Sequence, residues 1–306
     1  MESKTIILVE FPAPCNMKCE YCYIKPGDKR RKPPYKVVTA DDFRNLACEI
    51  PTEKTGFHFC SIGDPILYPG ASEIFIDLSR DNSVVINANM LSAKYEELLK
   101  GNTKNIGIWF SIHWKELLKR NKILYAFERM KRFISAGITV WPMTVLHPAY
   151  YDYIDDILVF ARMYDIKIKL MHYRDIKKST GKDGLVIPPD EIMQKLKNSE
   201  YIDWSHWDES FKRWDVKGRQ CSSGIDFLVI NSNWKILSCG GAGNIEFGIF
   251  PEDIKFLEFK EKGICESDTC PCSWAIFHGI CEHPRTLPDV LSSESGKLKV
   301  FYGKTL

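Results

Sequence analysis

Six short apolar runs alternate with amphipathic stretches over the first 175 residues, and this alternation constrains the fold more than any other feature of the chain. The runs are Thr5–Phe11, Gly56–Cys60, Ser83–Asn87, Ile106–Ile112, Ile138–Val145 and Ile166–His172. All are short and rich in Ile, Val or Phe, which predicts β-strands. The stretches between them have helical ends. Thr39 with Asp42 forms an N-cap followed by an acid in the first turn, and the run Lys122 to Ala136 stops at Gly137. Tyr151 to Tyr164 carries Ile154, Ile157, Leu158 and Ala161 at helical spacing. Strand and helix in strict alternation call for parallel strands joined by right-handed crossovers. Such a sheet is either open and doubly wound or curled into part of a barrel, and both forms place reactive groups at the C-terminal strand ends.

The pattern changes after the sixth run. Residues 176–215 make a connector with Gly181, Gly184 and the Pro188–Pro189 pair. Within it Tyr201, Trp204, Trp207, Phe211 and Trp214 recur at three- and four-residue spacing, which predicts one aromatic helix face packed on the sheet, or the wall of a substrate pocket. Phe227–Ile230 and Lys235–Ser238 flank Asn231-Ser232-Asn233-Trp234 and predict a β-hairpin, with Cys221 before it and Cys239 at its end. The segment onward to Arg285 is loop-rich. The expected division is 1–180 for the strand–helix domain, 181–215 for the connector, 216–290 for a small cysteine-rich domain and 291–306 for a tail.

Composition narrows the class. Hydrophobic residues make up 44% and charged residues 27%, enough for a full core. The 42 basic side chains nearly cancel 40 acidic ones, which argues against nucleic acid or a membrane surface as partner. The early apolar run Ile6–Val9 ends at Glu10, too short for a signal peptide or a membrane span, so a cytoplasmic location is expected.

Eleven cysteines are then unusual, because a reducing compartment disfavours disulfides and leaves metal or cluster ligation as their use. Cys15-Asn-Met-Lys-Cys19-Glu-Tyr-Cys22 begins four residues after the first strand and offers three thiolates in one loop. Three ligands on a four-iron cluster leave one iron open to a small molecule; the alternative is a zinc knuckle with a distant fourth ligand. Cys48 falls among apolar residues of a helix, where a buried small side chain is expected.

This motif, three residues then two between its cysteines and with Tyr21 before the third, resembles that of the radical S-adenosylmethionine (SAM) superfamily. The resemblance extends along the strands. Ser61-Ile62-Gly63-Asp64-Pro65 stands where those enzymes have Gly-Gly-Glu-Pro: Gly63 and Pro65 match, Asp64 replaces the glutamate, and Ile62 replaces the first glycine. Asn87-Ala88-Asn89 stands where the family often has Thr-Asn-Gly, and Ser111-Ile112-His113 where it often has Ser-x-Asp. The resemblance implies an α/β fold, a partial (β/α)6 TIM-like barrel of parallel strands. It implies Cys15, Cys19 and Cys22 as ligands of a SAM-binding 4Fe–4S cluster, with Tyr21, Gly63, Asp64, Asn89 and Ser111 around SAM. His113 is a candidate substrate-facing base, or a loop histidine.

Cys221 and Cys239 around the hairpin resemble the SPASM and twitch extensions of the same superfamily, whereas Cys265, Cys270, Cys272 and Cys281 depart from the usual SPASM spacing. One auxiliary 4Fe–4S cluster on Cys221, Cys239 and two of the later cysteines is the implied arrangement, with a zinc site as the alternative. The implied activity is reductive cleavage of SAM to a 5′-deoxyadenosyl radical that takes hydrogen from a substrate C–H bond. An oxidative modification of a small molecule or peptide follows, an oxidoreductase or maturase reaction with a flavodoxin- or ferredoxin-type electron donor. The alternative is a redox-neutral epimerase, for which Cys60 at the end of the second strand is a candidate hydrogen donor. A non-catalytic cysteine-rich binding module is the third class. Lys25, Lys29, Arg30, Arg31, Lys32 and Lys36 crowd the loop after Cys22, either as a solvated run or as a site for an anionic substrate.

Overall fold

In the computed structural model, residues 4–22, 24, 27–50, 54–173, 186–204, 214–215, 220–221, 223–224, 226–240, 245–254, 263–264 and 269–270 are described. Their elements run β1 (Lys4–Phe11), α1 (Ala40–Glu49), β2 (Lys54–Ser61), α2 (Ala71–Leu78), β3 (Ser83–Ala88), β4 (Ile106–Ser111), α3 (Trp114–Lys119), α4 (Ile123–Ser135), β5 (Thr139–Leu146), α5 (Ile154–Tyr164) and β6 (Ile168–His172). There follow α6 (Asp190–Lys197), β7 (Ile202–Asp203), β8 (Trp214–Asp215), β9 (Gln220–Cys221), β10 (Phe227–Ile230), β11 (Lys235–Leu237), β12 (Glu246–Ile249), β13 (Gly263–Ile264) and β14 (Thr269–Cys270). The six anticipated strands are present, and β1 to β6 pair in parallel in chain order. At the start of α1, Thr39 and Asp42 close a reciprocal capping box. After α4 the chain leaves through Gly137 at φ +90°, a left-handed turn that favours glycine.

The sheet has ten strands in the order β12-β11-β10-β1-β2-β3-β4-β5-β6-β7. Its first three strands, β12, β11 and β10, include the hairpin expected in the 216–290 segment. β10 and β11 do form the antiparallel hairpin, with Val229 opposite Leu237. β10, however, also pairs in parallel with β1, Ile6 against Phe227 through Val9 against Ile230. All four residues of β10 are buried, so it is apolar on both faces and suits an interior place in a sheet. Docked there, it covers the edge that β1 would otherwise present to water.

The aromatic helix differs from expectation. Tyr201 lies in a turn whose carbonyl accepts from Ile168 N at 2.9 Å, and Ile202–Asp203 is a strand alongside β6. Trp214 belongs to β8, opposite Cys270 of β14. The exposed edge of β6 offers ladder hydrogen bonds to residues 202 and 203, and these prevail over an aromatic spacing that only mimics a helix. Trp207 and Phe211 lie outside the described residues. The connector's helix is instead α6, with Ile192 and Leu196 buried. Cys48 is exposed rather than buried, because α1 turns Ala40, Phe43 and Leu46 to the core and position 48 falls on the other side.

Strand alternation divides the sheet into two faces. Ile7, Val9, Phe11, Phe57, Phe59, Val84, Ile86, Ile108, Phe110, Ile168 and Leu170 join the main core beneath the helices. The intervening residues form the other, inner face. They include Glu10, His58, Cys60, Asn87, Trp109, Ser111, Trp141, Met143, Lys169 and Asp203, with an apolar patch of Ile6, Leu8, Phe227, Val229 and Leu237 around β1 and β10. One face is thus mostly apolar, with Thr5, Thr55, Thr144 and His172 buried in it, and the other carries the polar groups near the cysteine loop, the division expected of a sheet that packs helices outside and receives a ligand inside. Among the described residues no helix is long and apolar enough to cross a membrane.

Candidate active site

The cysteine loop leaves the C-terminal end of β1 and is fastened to the loop after β2. Ile62 N donates to Phe11 O at 3.3 Å and Asp64 N to Pro14 O at 2.9 Å. The two backbones approach so closely that a Cβ at Gly63 would lie 2.2 Å from Ala13 O and 2.3 Å from Pro14 O. Glycine at this position is therefore a packing requirement. The matching Gly63 of the motif acts through backbone proximity, one residue from the start of the cysteine motif.

Cys15 and Cys19 are half-buried and Cys22 is exposed. Cys22 N donates to Cys19 O at 3.1 Å, curling the loop, and Met17 N donates to Cys15 Sγ at 3.4 Å. Burial raises the Cys15 thiol above its ordinary value. Burial also pushes Cys19 up to about 12, and the neighbouring Cys15 and Cys22 add to the shift. Such thiols stay protonated at neutral pH unless a strong positive charge faces them, as a bound metal cluster would. Among the described residues no three His, Cys, Asp or Glu converge on one point as a single-ion site does. Ligands of a four-iron cluster bind separate irons and need no such convergence.

Arg31 joins the two loops. Its Nε donates to Ile62 O at 2.5 Å and its Nη2 to Cys22 Sγ at 3.4 Å. Arg30 pairs with Asp28 and donates to Ser232 Oγ at 3.0 Å, and Lys36 bonds Phe250 O and Glu252. Three of the six basic residues in this run therefore hold the loop to itself, to the loop after β2, to the hairpin turn and to the turn after β12. Lys29 and Lys32 remain exposed, and Lys25 lies outside the described residues.

Asp64 is only 1% exposed. Its Oδ1 accepts from Tyr95 OH, whereas Oδ2 is buried with no hydrogen-bond partner. Burial pushes its carboxyl up to about 7, and the Tyr95 bond pulls the other way. A buried acceptor left without a donor, beside Gly63 and the cysteine loop, fits the ammonium group of SAM. Asn89 also reaches this loop: its Nδ2 donates to Asn16 Oδ1 at 2.7 Å, and its Oδ1 accepts from Leu91 N at 3.0 Å. The loop bearing Asn89 is clamped by buried Arg129, whose Nη1 donates to Met90 O and Ser92 O, both at 2.6 Å. Ser111 ends β4 on the inner face, in register with Met143.

Tyr21 and His113 meet, although their motifs assign them separate roles. Tyr150 OH donates to Tyr21 OH at 2.9 Å, which leaves the Tyr21 proton for His113 Nδ1 at 2.5 Å. Burial lowers His113 to about 4, so its ring is a neutral acceptor at neutral pH. The His147 ring lies 5.2 Å from that of Tyr21. Cys60 lies on the inner face, half-buried against the apolar patch that Cys221 also touches. Gly263 of β13 pairs with Cys221, which brings the chain beside Cys221 two residues before Cys265. Cys239 follows β11 and is half-buried. Cys265, Cys272 and Cys281 lie outside the described residues, as does the side chain of Cys270.

Asn16, Tyr95, Arg129, His147 and Tyr150 are site residues that the sequence reading missed. Asn16 stood inside the motif, where an amide facing another loop could have been suspected. The others are ordinary helix or turn residues until the fold brings them together.

A parallel sheet with a polar inner face and a three-thiol loop over its first strand defines an iron–sulfur enzyme built on a partial barrel. The chain belongs to the radical SAM superfamily, whose model matches residues 9–161, half of its length. The family carries a 4Fe–4S cluster and SAM. Comparison with curated proteins gives no match. Among solved structures, Streptococcus suis SuiB bound to S-adenosylmethionine is similar with a TM-score of 0.53 and 16% identity, over 85% of this chain and 66% of that one. SuiB bound to precursor peptide SuiA gives 0.54 and 14%, over 85% and 65%. Native anSMEcpe with bound AdoMet and Cp18Cys peptide gives 0.55 and 12%, over 99% and 84%. The chain spans just under two thirds of the length of the SuiB structures it matches.

Proposed function

We propose that this protein reductively cleaves SAM and that the 5′-deoxyadenosyl radical so supplied takes hydrogen from a substrate C–H bond, giving an oxidised peptide or small molecule. The observation that carries this reading is the junction of the two loops, in which Gly63 and Asp64 are fastened against the chain that delivers Cys15. Cys15, Cys19 and Cys22 would hold the cluster, and Asp64, Asn89 and Ser111 would hold SAM. Tyr150, Tyr21 and neutral His113 form a relay that fixes the orientation of the cysteine loop and can hold a proton at His113 Nδ1. The closed loop junction and the tryptophans of the inner face would help keep water from the reacting carbon.

A peptide substrate is favoured by SuiB with its precursor peptide and by anSMEcpe with its peptide, both similar in fold. An auxiliary 4Fe–4S cluster on Cys221, Cys239 and later cysteines would take the electron left on the substrate, and a flavodoxin or ferredoxin would reduce the first cluster. Reconstituted protein should bind about eight irons on that count. Replacing Cys15, Cys19 and Cys22 with Ala should remove about half of them and all 5′-deoxyadenosine formation. Retained 5′-deoxyadenosine in that triple variant would refute the reading.

Epimerase chemistry is the second reading, favoured by the position of Cys60 on the inner face. Product analysis separates the two: loss of two hydrogens for the first, inverted stereochemistry with solvent deuterium for the second.

A further inference from the structure

Lys169 is a basic residue of the inner face that stands apart from the residues around SAM. Ile168 and Leu170 pack into the core beneath the helices, so Lys169 between them faces the opposite way. Register carries that face across the sheet. Ser111 pairs with Met143, Met143 with Lys169, and Lys169 with Asp203, one row over four strands. In the row beneath, Trp109 and Trp141 lie edge to face at 6.4 Å, and the His58 ring meets Trp109 at 5.4 Å.

The Lys169 side chain is 10% exposed and its Nζ lies 3.6 Å from Asp203 Oδ2. An ammonium–carboxylate contact closes to about 2.8 Å, so at 3.6 Å this ion pair is a loose one. An ammonium has three donors, and burying it is costly unless acceptors meet them. The inner face's other charge near the cysteine loop, Glu10, is already engaged by Ser232 N at 3.1 Å. Tryptophan walls lower the local dielectric, which strengthens the attraction of Lys169 for any anion that enters.

We infer that Lys169 anchors a carboxylate of the substrate, with Asp203 as its resting counter-ion. Strands are about 4.8 Å apart, so Lys169 stands about 10 Å along the sheet from Ser111. A substrate held at Lys169 by its carboxylate would span that interval and present a carbon several bonds away to the SAM side. This assignment rests on the proposed function and deepens it: the substrate is an acid, through either an acidic side chain of a peptide or a free terminal carboxylate.

Calorimetry on the reconstituted full chain tests it, with N-acetylglutamate methylamide and N-acetylalanylalanine as side-chain and terminal carboxylate probes and their neutral amides as controls. At least one acid should bind about tenfold tighter than its amide, and which one does so identifies the source of the carboxylate. Lys169→Met should erase the preference and Lys169→Arg should keep it. Lys169→Gln serves the same purpose if the methionine variant does not fold. Equal binding of acids and amides by the wild type, or a preference that survives loss of the charge, overturns the anchor. 5′-Deoxyadenosine formation by the same preparations keeps the two failures apart: intact SAM cleavage without acid preference removes the anchor alone, and acid preference without SAM cleavage removes the activity alone.

Discussion

Replacing Gly63 with Ala should separate the two loops on which the site depends. A Cβ at this position lies 2.2 Å from Ala13 O, 2.3 Å from Pro14 O and 2.5 Å from Pro14 C. A tolerable carbon–oxygen contact is about 3.3 Å, so the loops must part by about 1 Å. All three obstacles are backbone atoms, and no side chain can swing away to relieve the clash. The Asp64 N to Pro14 O bond, 2.9 Å long, would stretch beyond hydrogen-bonding range. Losing one such bond costs about 1 kcal/mol, and leaving its buried donor unmet adds about 1–3 kcal/mol, giving about 2–4 kcal/mol in all. Urea unfolding of the apoprotein reads that loss directly. Iron retention and SAM affinity should fall with it, because Cys15 follows Pro14. Gly70→Ala is the control: Gly70 has φ +75° but nothing within 4 Å of its Cβ position, so its cost is conformational, about 1 kcal/mol, with iron retained. A Gly63→Ala protein with an unchanged urea midpoint and unchanged SAM affinity would refute the close-approach argument.

Three further outcomes are expected. Asp64 is raised from 3.8 to about 7 by burial, so the stability linked to its neutral form is complete below 3.8 and lost as pH rises through about 7. An ammonium prefers the ionised carboxylate, so SAM affinity should rise over that upper interval, and Asp64→Asn should flatten the profile; a flat wild-type profile excludes the contact. Arg31→Gln removes a donor to Cys22 Sγ and should make the first cluster harder to reduce, because hydrogen bonds to cluster sulfur raise its potential. An electron paramagnetic resonance titration measures this, and an unchanged potential means that Arg31 serves the loop alone. Replacing Cys221 and Cys239 with Ala should remove about half the iron and end product formation while dithionite-driven SAM cleavage continues. A folded double variant with normal turnover would assign those cysteines a structural role.

The strands, the capping box at Thr39 and the turn at Gly137 were legible because each depends on near neighbours: alternation, a side chain reaching three residues ahead, a backbone angle. The cysteine motif was legible for the same reason, its ligands lying within one loop. Gly63 was found through its motif, but its cause, the carbonyls of Ala13 and Pro14, belongs to another loop.

What the sequence determined by itself is therefore the local order, six strand–helix units with a three-thiol loop after the first strand, since short-range sterics and hydrogen bonding suffice to specify it. Tertiary structure alone decided that Phe227–Ile230 would pair with β1, because the choice depends on an unpaired edge far away in the chain. It also turned Ile202–Asp203 from part of an expected helix into the strand beside β6, brought Tyr21 to His113 and Tyr150, and set Lys169 in one row with Ser111. Each of these depends on which distant backbone offers free donors and acceptors, and on the register in which they meet.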